Sequence, residues 1–367
     1  MNKVHVTLLG KEPLPVFYLI QKFSLKDIYV LGTNENKGVY GGLERVCRYI
    51  GCKIEFVEVR AFDIKDVIAK CEEIHRKYSG DVKFVYNLTG GTKPMAIGAY
   101  IIAKRYESDI YYTDSKSCLN LNTFEVSPME EKVANEIIFI LQGQKLKKYS
   151  VWDKDNEKEN IAASQDILRF IRKEKNLYTK LVKKIKDSNG YLNNCRIGSA
   201  EYDFYDGDLT ITKNDKEVLR INTPMSKKLL FEGRWWECLV ADAMARWAKG
   251  KYEIWSDVVF DTVGDVGVSA DKNEVDVLIN IGNTIVFVEC KSGNLTQNEI
   301  YKMASVKQIY GSDKSKSVLV TFWPLKADLR QKADDQQISV IAPASVNEDV
   351  LYRIPDEMDK IVKKLTL

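Results

Sequence analysis

Residues 273–293 read NEVDVLINIGNTIVFVECKSG, two runs of branched apolar residues about a Gly-Asn pair. Acids stand at both open ends, with a lysine at one. Gly followed by Asn suits a two-residue hairpin turn, and a turn at Gly282-Asn283 sets Ile281 across from Thr284. The register then places Asp276 across from Glu289 and Glu274 across from Lys291. Side chains alternate along a strand, so all four project from one face at one end of the hairpin.

Directly opposed residues hold their Cβ atoms ~4.5 to 5.5 Å apart, a distance at which like charges repel. Something positive is therefore expected between Asp276 and Glu289, either a lysine or a divalent cation. Oxygen-only ligands suit Mg²⁺ or Mn²⁺, and Mg²⁺ characteristically binds through one or two carboxylates while keeping waters. Such a site serves phosphodiester hydrolysis, with Lys291 orienting water or stabilising developing charge. Glu237, at the edge of an apolar helical stripe, is a candidate third acid. The plain alternative is an exposed Glu274–Lys291 ion pair worth under ~1 kcal/mol beside a solvated Asp276.

An acid on a helix (Glu237), EVD with Asp276, a hairpin return, and VECK with Glu289 and Lys291 resemble the PD-(D/E)XK nuclease core of restriction enzymes and Holliday junction resolvases. The resemblance implies Asp276, Glu289 and Glu237 as the metal shell, Lys291 as catalytic lysine and Gln308 as a polar helper on the next helix. Val275 stands where that family often has proline.

Upstream, residues 3–140 alternate short apolar runs with helical patterns, the signature of a parallel sheet with crossover helices. The stretch VYNLTGGTKPMAIGAYIIA, residues 85–103, ends a strand, turns through two glycines and enters a helix at Pro94. Converging backbone N–H groups at a helix N-terminus suit an anion, and Thr89, Thr92 and Lys93 can add donors around Gly90 and Gly91. Two other strands also end in Gly plus polar residues, so Gly10, Lys11, Thr33 and Asn34 are expected at the same carboxyl edge. Gly-rich turns also serve purely structural ends.

NLTGGTKPM in a Rossmann-like unit is similar to CARF (CRISPR-associated Rossmann fold) sensors, and with the nuclease-like hairpin the chain resembles CRISPR ancillary nucleases of type III antiviral defence. The resemblance implies a homodimer that binds cyclic tetra-adenylate across its two-fold axis and then cuts single-stranded DNA or RNA or nicks supercoiled DNA. Two rival readings stay open: a nucleotide-binding regulator without catalysis, and a constitutive DNA-repair or restriction endonuclease.

Length and composition fit this outline. The 367 residues call for two or three units. Lys and Arg number 55 against 52 Asp and Glu, a formal charge of +3, so any basic surface must be local. Seven cysteines without a CxxC pair read as reduced thiols, and two histidines leave little material for a zinc site or a His-based triad. No apolar run approaches the ~20 residues that span a bilayer, so a cytoplasmic protein without membrane partners is expected.

The expected fold is α/β throughout: a Rossmann-like CARF domain with a parallel sheet over residues 1–143, a small α+β connecting module over 144–224, and a restriction-endonuclease-like α/β core over 225–367. In the module, 13 Lys and Arg against 7 Asp and Glu between Lys145 and Asp187 mark amphipathic, basic helices. One long helix is expected from Ser226 to Lys249. Trp235, Trp236 and Trp255 fit core better than base stacking.

Overall fold

A computed structural model of the chain describes residues 2–114, 116–129, 132–188, 192–261, 274–282, 284–312, 314–346 and 348–366. The described residues divide into two compact units, one of residues 2–146 with 260–261 and the other of 147–259 with 274–366.

The first unit is a doubly wound sheet. Strands β1 (Asn2–Leu8), β2 (Asp27–Gly32), β3 (Lys53–Glu58), β4 (Val82–Asn87) and β5 (Asp109–Thr113) alternate with helices α1 (Leu14–Lys22), α2 (Lys37–Tyr49), α3 (Ile64–Arg76) and α4 (Lys93–Arg105). Two short strands, β6 (Ser117–Asn120) and β7 (Val126–Pro128), and α5 (Asn135–Leu141) complete it. The order is β3-β2-β1-β4-β5-β6-β7, with the first five parallel and the last two added antiparallel. Helices cover both faces, which is why β1 buries Val4, His5, Val6, Thr7 and Leu8 without alternation. Sequence order reverses at β1, flanked by β2 and β4, so the loops after these three strands share one edge.

The second unit has two sheets. Strand β8 (Leu146–Val151) precedes α6 (Lys158–Lys173) and α7 (Lys175–Asp187). A four-stranded meander follows, β9 (Asn194–Ile197), β10 (Ala200–Tyr205), β11 (Asp208–Lys213) and β12 (Lys216–Asn222). Next come α8 (Ser226–Glu232), α9 (Arg234–Ala248), β13 (Glu253–Phe260), β14 (Glu274–Ile281), β15 (Thr284–Lys291), α10 (Gln297–Tyr310), β16 (Lys316–Thr321), α11 (Ala327–Asp335), β17 (Ile338–Ile341) and α12 (Ile354–Thr366). The main sheet runs β17-β16-β15-β14-β13-β8.

Its two faces are packed by different helices. Trp236, Leu239, Val240 and Met244 of α9 join Val277 and Ile279 of β14 and Val286 and Val288 of β15 in one core, which also takes in Ile167 and Ile171 of α6 and Tyr202 and Ile211 of the meander. On the other face, Ile300 and Met303 of α10 pack with Leu319, Leu329 and Ile338. Module and nuclease-like elements therefore share a hydrophobic core.

The single helix expected from Ser226 to Lys249 is two helices. Gly233, at φ +89°, breaks it between α8 and α9. A Cβ there would stand 2.9 Å from Ser292 Oγ, so the glycine lets the loop after β15 approach the start of α9. Trp235, Trp236 and Trp255 are all at most 1% exposed, as expected of core residues. All seven cysteines are free thiols, and among the described residues no helix is long and apolar enough to cross a membrane.

Candidate functional site

Strands β14 and β15 pair antiparallel from Ile281–Thr284 to Val277–Val288, the register expected from the hairpin. Gly282 is at φ +56°, as such a turn requires, and Asn283 lies outside the described residues. Beyond Val277 the main-chain ladder gives way to a side chain: Asp276 Oδ2 accepts the Cys290 N–H at 2.7 Å. On the other flank β13 pairs with β14 through Ser256–Val277 and Val258–Val275, and Asp257 between them sits at φ +54°. Both ladders are thus interrupted at Asp276, which frees that end of the sheet for polar chemistry.

Two protein cations serve the acids there. Lys291 Nζ lies 2.8 Å from Glu289 Oε1 and 3.3 Å from Glu299 Oε1. Arg234 donates to Glu237 Oε2 at 3.0 Å and to both carboxylate oxygens of Asp257. Gly233 ends α8 so that Arg234 and Glu237 fall in the first turn of α9, beside the β15 end.

Burial pushes the Asp276 carboxyl well above the usual carboxylate range. The Glu289 and Glu237 charges push it further, and the Cys290 N–H and Lys291 recover only part. Burial also raises Glu237, with Arg234 opposing and Glu274 and Glu289 adding. For Lys291 burial disfavours the ammonium, but Glu289, Asp276 and Glu299 outweigh it and hold the group above the ordinary lysine range. Negative charge is therefore in excess around Asp276, with Lys291 fully cationic at its edge.

Hard oxygen donors in excess fit a divalent cation such as Mg²⁺ or Mn²⁺. Among the described residues, however, no three His, Cys, Asp or Glu side chains converge as one cage. The three-acid shell expected from the sequence is not assembled: Arg234 holds Glu237 and Lys291 holds Glu289. The ion pair of Glu274 with Lys291, the plain alternative, is not the one formed. Glu274 is exposed at the head of β14, opposite Val259, while Lys291 turns to Glu289 and Glu299. Gln308 lies on the exposed side of α10. The α10 residue that reaches the lysine is Glu299, whose other oxygen accepts from Thr296 N at 2.7 Å and Thr296 Oγ1 at 3.0 Å. The T-x-x-E spacing of this capping box marks Glu299 as a helix cap, but not its reach to Lys291.

The site opens into a cleft of about 850 Å³, lined by Glu237, Lys291, Ser292, Glu299, α7 and Trp323. A smaller cavity of about 250 Å³ is lined by Arg234, Glu237, Asp257 and Asp276.

In the first unit, the loops after β1, β2 and β4 interlock. A Cβ on Gly90 would lie 2.2 Å from Leu8 O and 2.8 Å from Gly10 N, and Gly91 is at φ +72°. Asn36 Nδ2 donates to Gly10 O at 3.3 Å, while its Oδ1 accepts from Thr33 N at 3.0 Å and Thr33 Oγ1 at 2.9 Å. Thr92 caps α4 by accepting from Met95 N, and its hydroxyl donates to Ala61 O. The Thr89 hydroxyl donates to Asn87 Oδ1 at 2.6 Å and accepts from Thr113 N at 2.7 Å. Both threonine hydroxyls thus shape the loop. Gly10 and Gly90 stand at one edge with exposed Lys11, Asn34, Gly91 and Lys93.

A family model described as the Card1 CARF domain matches residues 4–141, and one described as the Card1-like endonuclease domain matches residues 225–354. Among solved structures, Can2 from Sulfobacillus thermosulfidooxidans in complex with cyclic tetra-adenylate is similar over 98% of this chain and 99% of its own, with 18% identity and a TM-score of 0.71. Protein VC1899 from Vibrio cholerae is similar over 99% of this chain and 98% of its own, with 14% identity and a TM-score of 0.74. A type III CRISPR defence DNA nuclease activated by cyclic oligoadenylate matches 99% of this chain at 18% identity and a TM-score of 0.64; that match covers 52% of the nuclease, so this chain spans about half of it. No curated relative matches the chain. With parallel-strand fold, loop edge and carboxylate–lysine site in place, the chain joins a domain of the Card1 CARF family to one of the Card1-like endonuclease family.

Proposed function

We propose that this protein is an endonuclease of the PD-(D/E)XK kind, switched on by cyclic tetra-adenylate and acting in the cytoplasm as a homodimer in type III CRISPR defence. The observation that carries the reading is the meeting of Asp276, Glu289 and Lys291 at the interrupted end of β14 and β15, within a matched endonuclease domain. The solved relative that holds cyclic tetra-adenylate, and the matched CARF domain over residues 4–141, support the activator.

Asp276 and Glu289 would hold a divalent ion, with Glu237 beside them, and the bound ion would supply Lewis-acid polarisation of the phosphate and a more acidic water. The chain's own residues do the rest. The Cys290 N–H fixes the Asp276 carboxylate. Lys291, kept charged by Glu289, Asp276 and Glu299, stabilises charge that builds on the phosphate oxygens. On the sensor side, backbone N–H groups around Gly90 and Gly91, with Lys11, Asn34 and Lys93, receive the ring's phosphates, one half-ring per subunit. Residues 1–143 act as sensor, 144–224 as connecting module and 225–367 as nuclease.

The test is a cleavage assay on plasmid and single-stranded DNA and RNA, with EDTA, Mg²⁺ or Mn²⁺, and with or without cyclic tetra-adenylate. Lys291→Ala and Asp276→Asn should each lower cutting by at least ~100-fold. Lys93→Ala should raise the activator concentration needed and recover at higher ligand. No cutting under any condition would leave a nucleotide-binding regulator; cutting independent of the ligand would leave a constitutive nuclease.

A further inference from the structure

The cleft beside Lys291 is walled on one side by α7, part of the connecting module rather than of the matched endonuclease domain. That helix carries five lysines against one acid, Asp187. Its apolar residues Leu177, Leu181 and Ile185 are buried, so the lysines face outward. Trp323 lines the same cleft, next to the start of α7. Thr321 of β16 pairs in register with Lys291, and Phe322 N donates to Lys291 O at 2.8 Å, so Trp323 follows directly on the lysine's neighbour.

Trp323 is half-buried, unlike the core tryptophans, and is held as a wall. Its carbonyl accepts from Thr321 Oγ1 at 2.8 Å, and its ring packs on Phe322 with centroids 4.5 Å apart. Lys175 Nζ lies 4.1 Å from the ring centroid. An aromatic face with an adjacent cation, continuous with a phosphate-directed lysine, is the combination that binds unpaired bases with their backbone.

We infer that the connecting module forms part of the substrate site, with Trp323 stacking a base of a single strand next to the scissile phosphate while Lys175 and Lys186 hold its flanking phosphates. The inference rests on the nuclease reading and adds to it the residues that would hold an unpaired strand. A duplex keeps its bases inside the stack and offers Trp323 nothing. Stacking of a base outweighs the cation–π contact that Lys175 gives up when it moves to a phosphate.

The test is fluorescence anisotropy with the full chain in EDTA, with cyclic tetra-adenylate present, against a labelled oligonucleotide of roughly 12 nucleotides, as DNA, RNA and blunt duplex. Trp323→Ala should weaken single-strand binding about tenfold, and Trp323→Phe should recover most of it. Lys175→Gln with Lys186→Gln should reduce the slope of log affinity against log salt by about 1.4. Far-UV circular dichroism confirms that each variant is folded. The DNA and RNA arms decide which sugar is preferred. Trp323→Ala binding like the parent, Phe serving no better than Ala, or duplex binding as tightly as single strand would overturn the inference and leave the nuclease reading standing if the parent still cuts. A parent that neither binds nor cuts would remove both.

Discussion

Gly90 is the residue on which the proposed ligand edge turns. Its missing Cβ allows main chain to pass against Leu8 O, so Gly90→Ala should cost roughly 1–3 kcal/mol through overpacking and abolish cyclic tetra-adenylate binding, checked by thermal unfolding and calorimetric titration. His5 and His75 set a pH response. Burial lowers both imidazoles from 6.5 to about 4; for His5 the bond from Nδ1 to Val85 O works the other way without cancelling it. Because the folded pKa lies below the unfolded one, the neutral forms contribute full stability above pH 6.5, and it is lost as pH falls from 6.5 towards 4. The loss approaches roughly 3 kcal/mol per histidine. Urea midpoints measured from pH 7 to 4 should fall, and in His75→Gln the fall should be shallower; parallel curves would refute the assignment. Glu299 shows how a residue escapes sequence reading, because its capping bond is local and visible while its reach to Lys291 is not.

Among the elements, the break between α8 and α9 matters most. Leu229, Leu230 and Phe231 of α8 stand just ahead of the apolar stripe from Trp236 to Trp247, so an apolar pattern alone does not mark a break at Gly233; the left-handed glycine there is what admits Ser292. Gly233→Ala would pay about 1–2 kcal/mol for the left-handed backbone. It should also reduce cleavage several-fold, because the first turn of α9 carries Arg234 and Glu237; equilibrium unfolding and cleavage rates check the two effects separately. Strand β7 and helix α11 escape sequence reading because they are short and mostly exposed, and β6 because it is only four residues long, so apolar pattern hardly marks them.

For the whole molecule, a ligand held only by the folded sensor must raise its stability. Cyclic tetra-adenylate at 100 times its dissociation constant should add about 2.7 kcal/mol to unfolding of residues 1–143, a gain that Lys93→Ala should reduce at the same ligand concentration. Scanning calorimetry with and without ligand reads this directly, and an unmoved transition would count against the sensor assignment. Residues 144–224 read as a separate basic module by composition, yet Ile167, Ile171 and Tyr202 pack into the core that α9 and β14 share. Composition reports which residues face water; it carries no information about which neighbouring segment covers the rest.

By itself the sequence determined the parallel sheet and the hairpin register, because strand alternation, a Gly-Asn turn and a Gly-Gly helix entry act over a few neighbouring residues. The tertiary structure alone decided which cation meets which acid. Arg234 reaching Asp257 and Glu299 reaching Lys291 are contacts between a helix and the strand next to it in the chain, set by how each helix docks on the sheet. Docking depends on the summed packing of many side chains, and no local pattern encodes that sum.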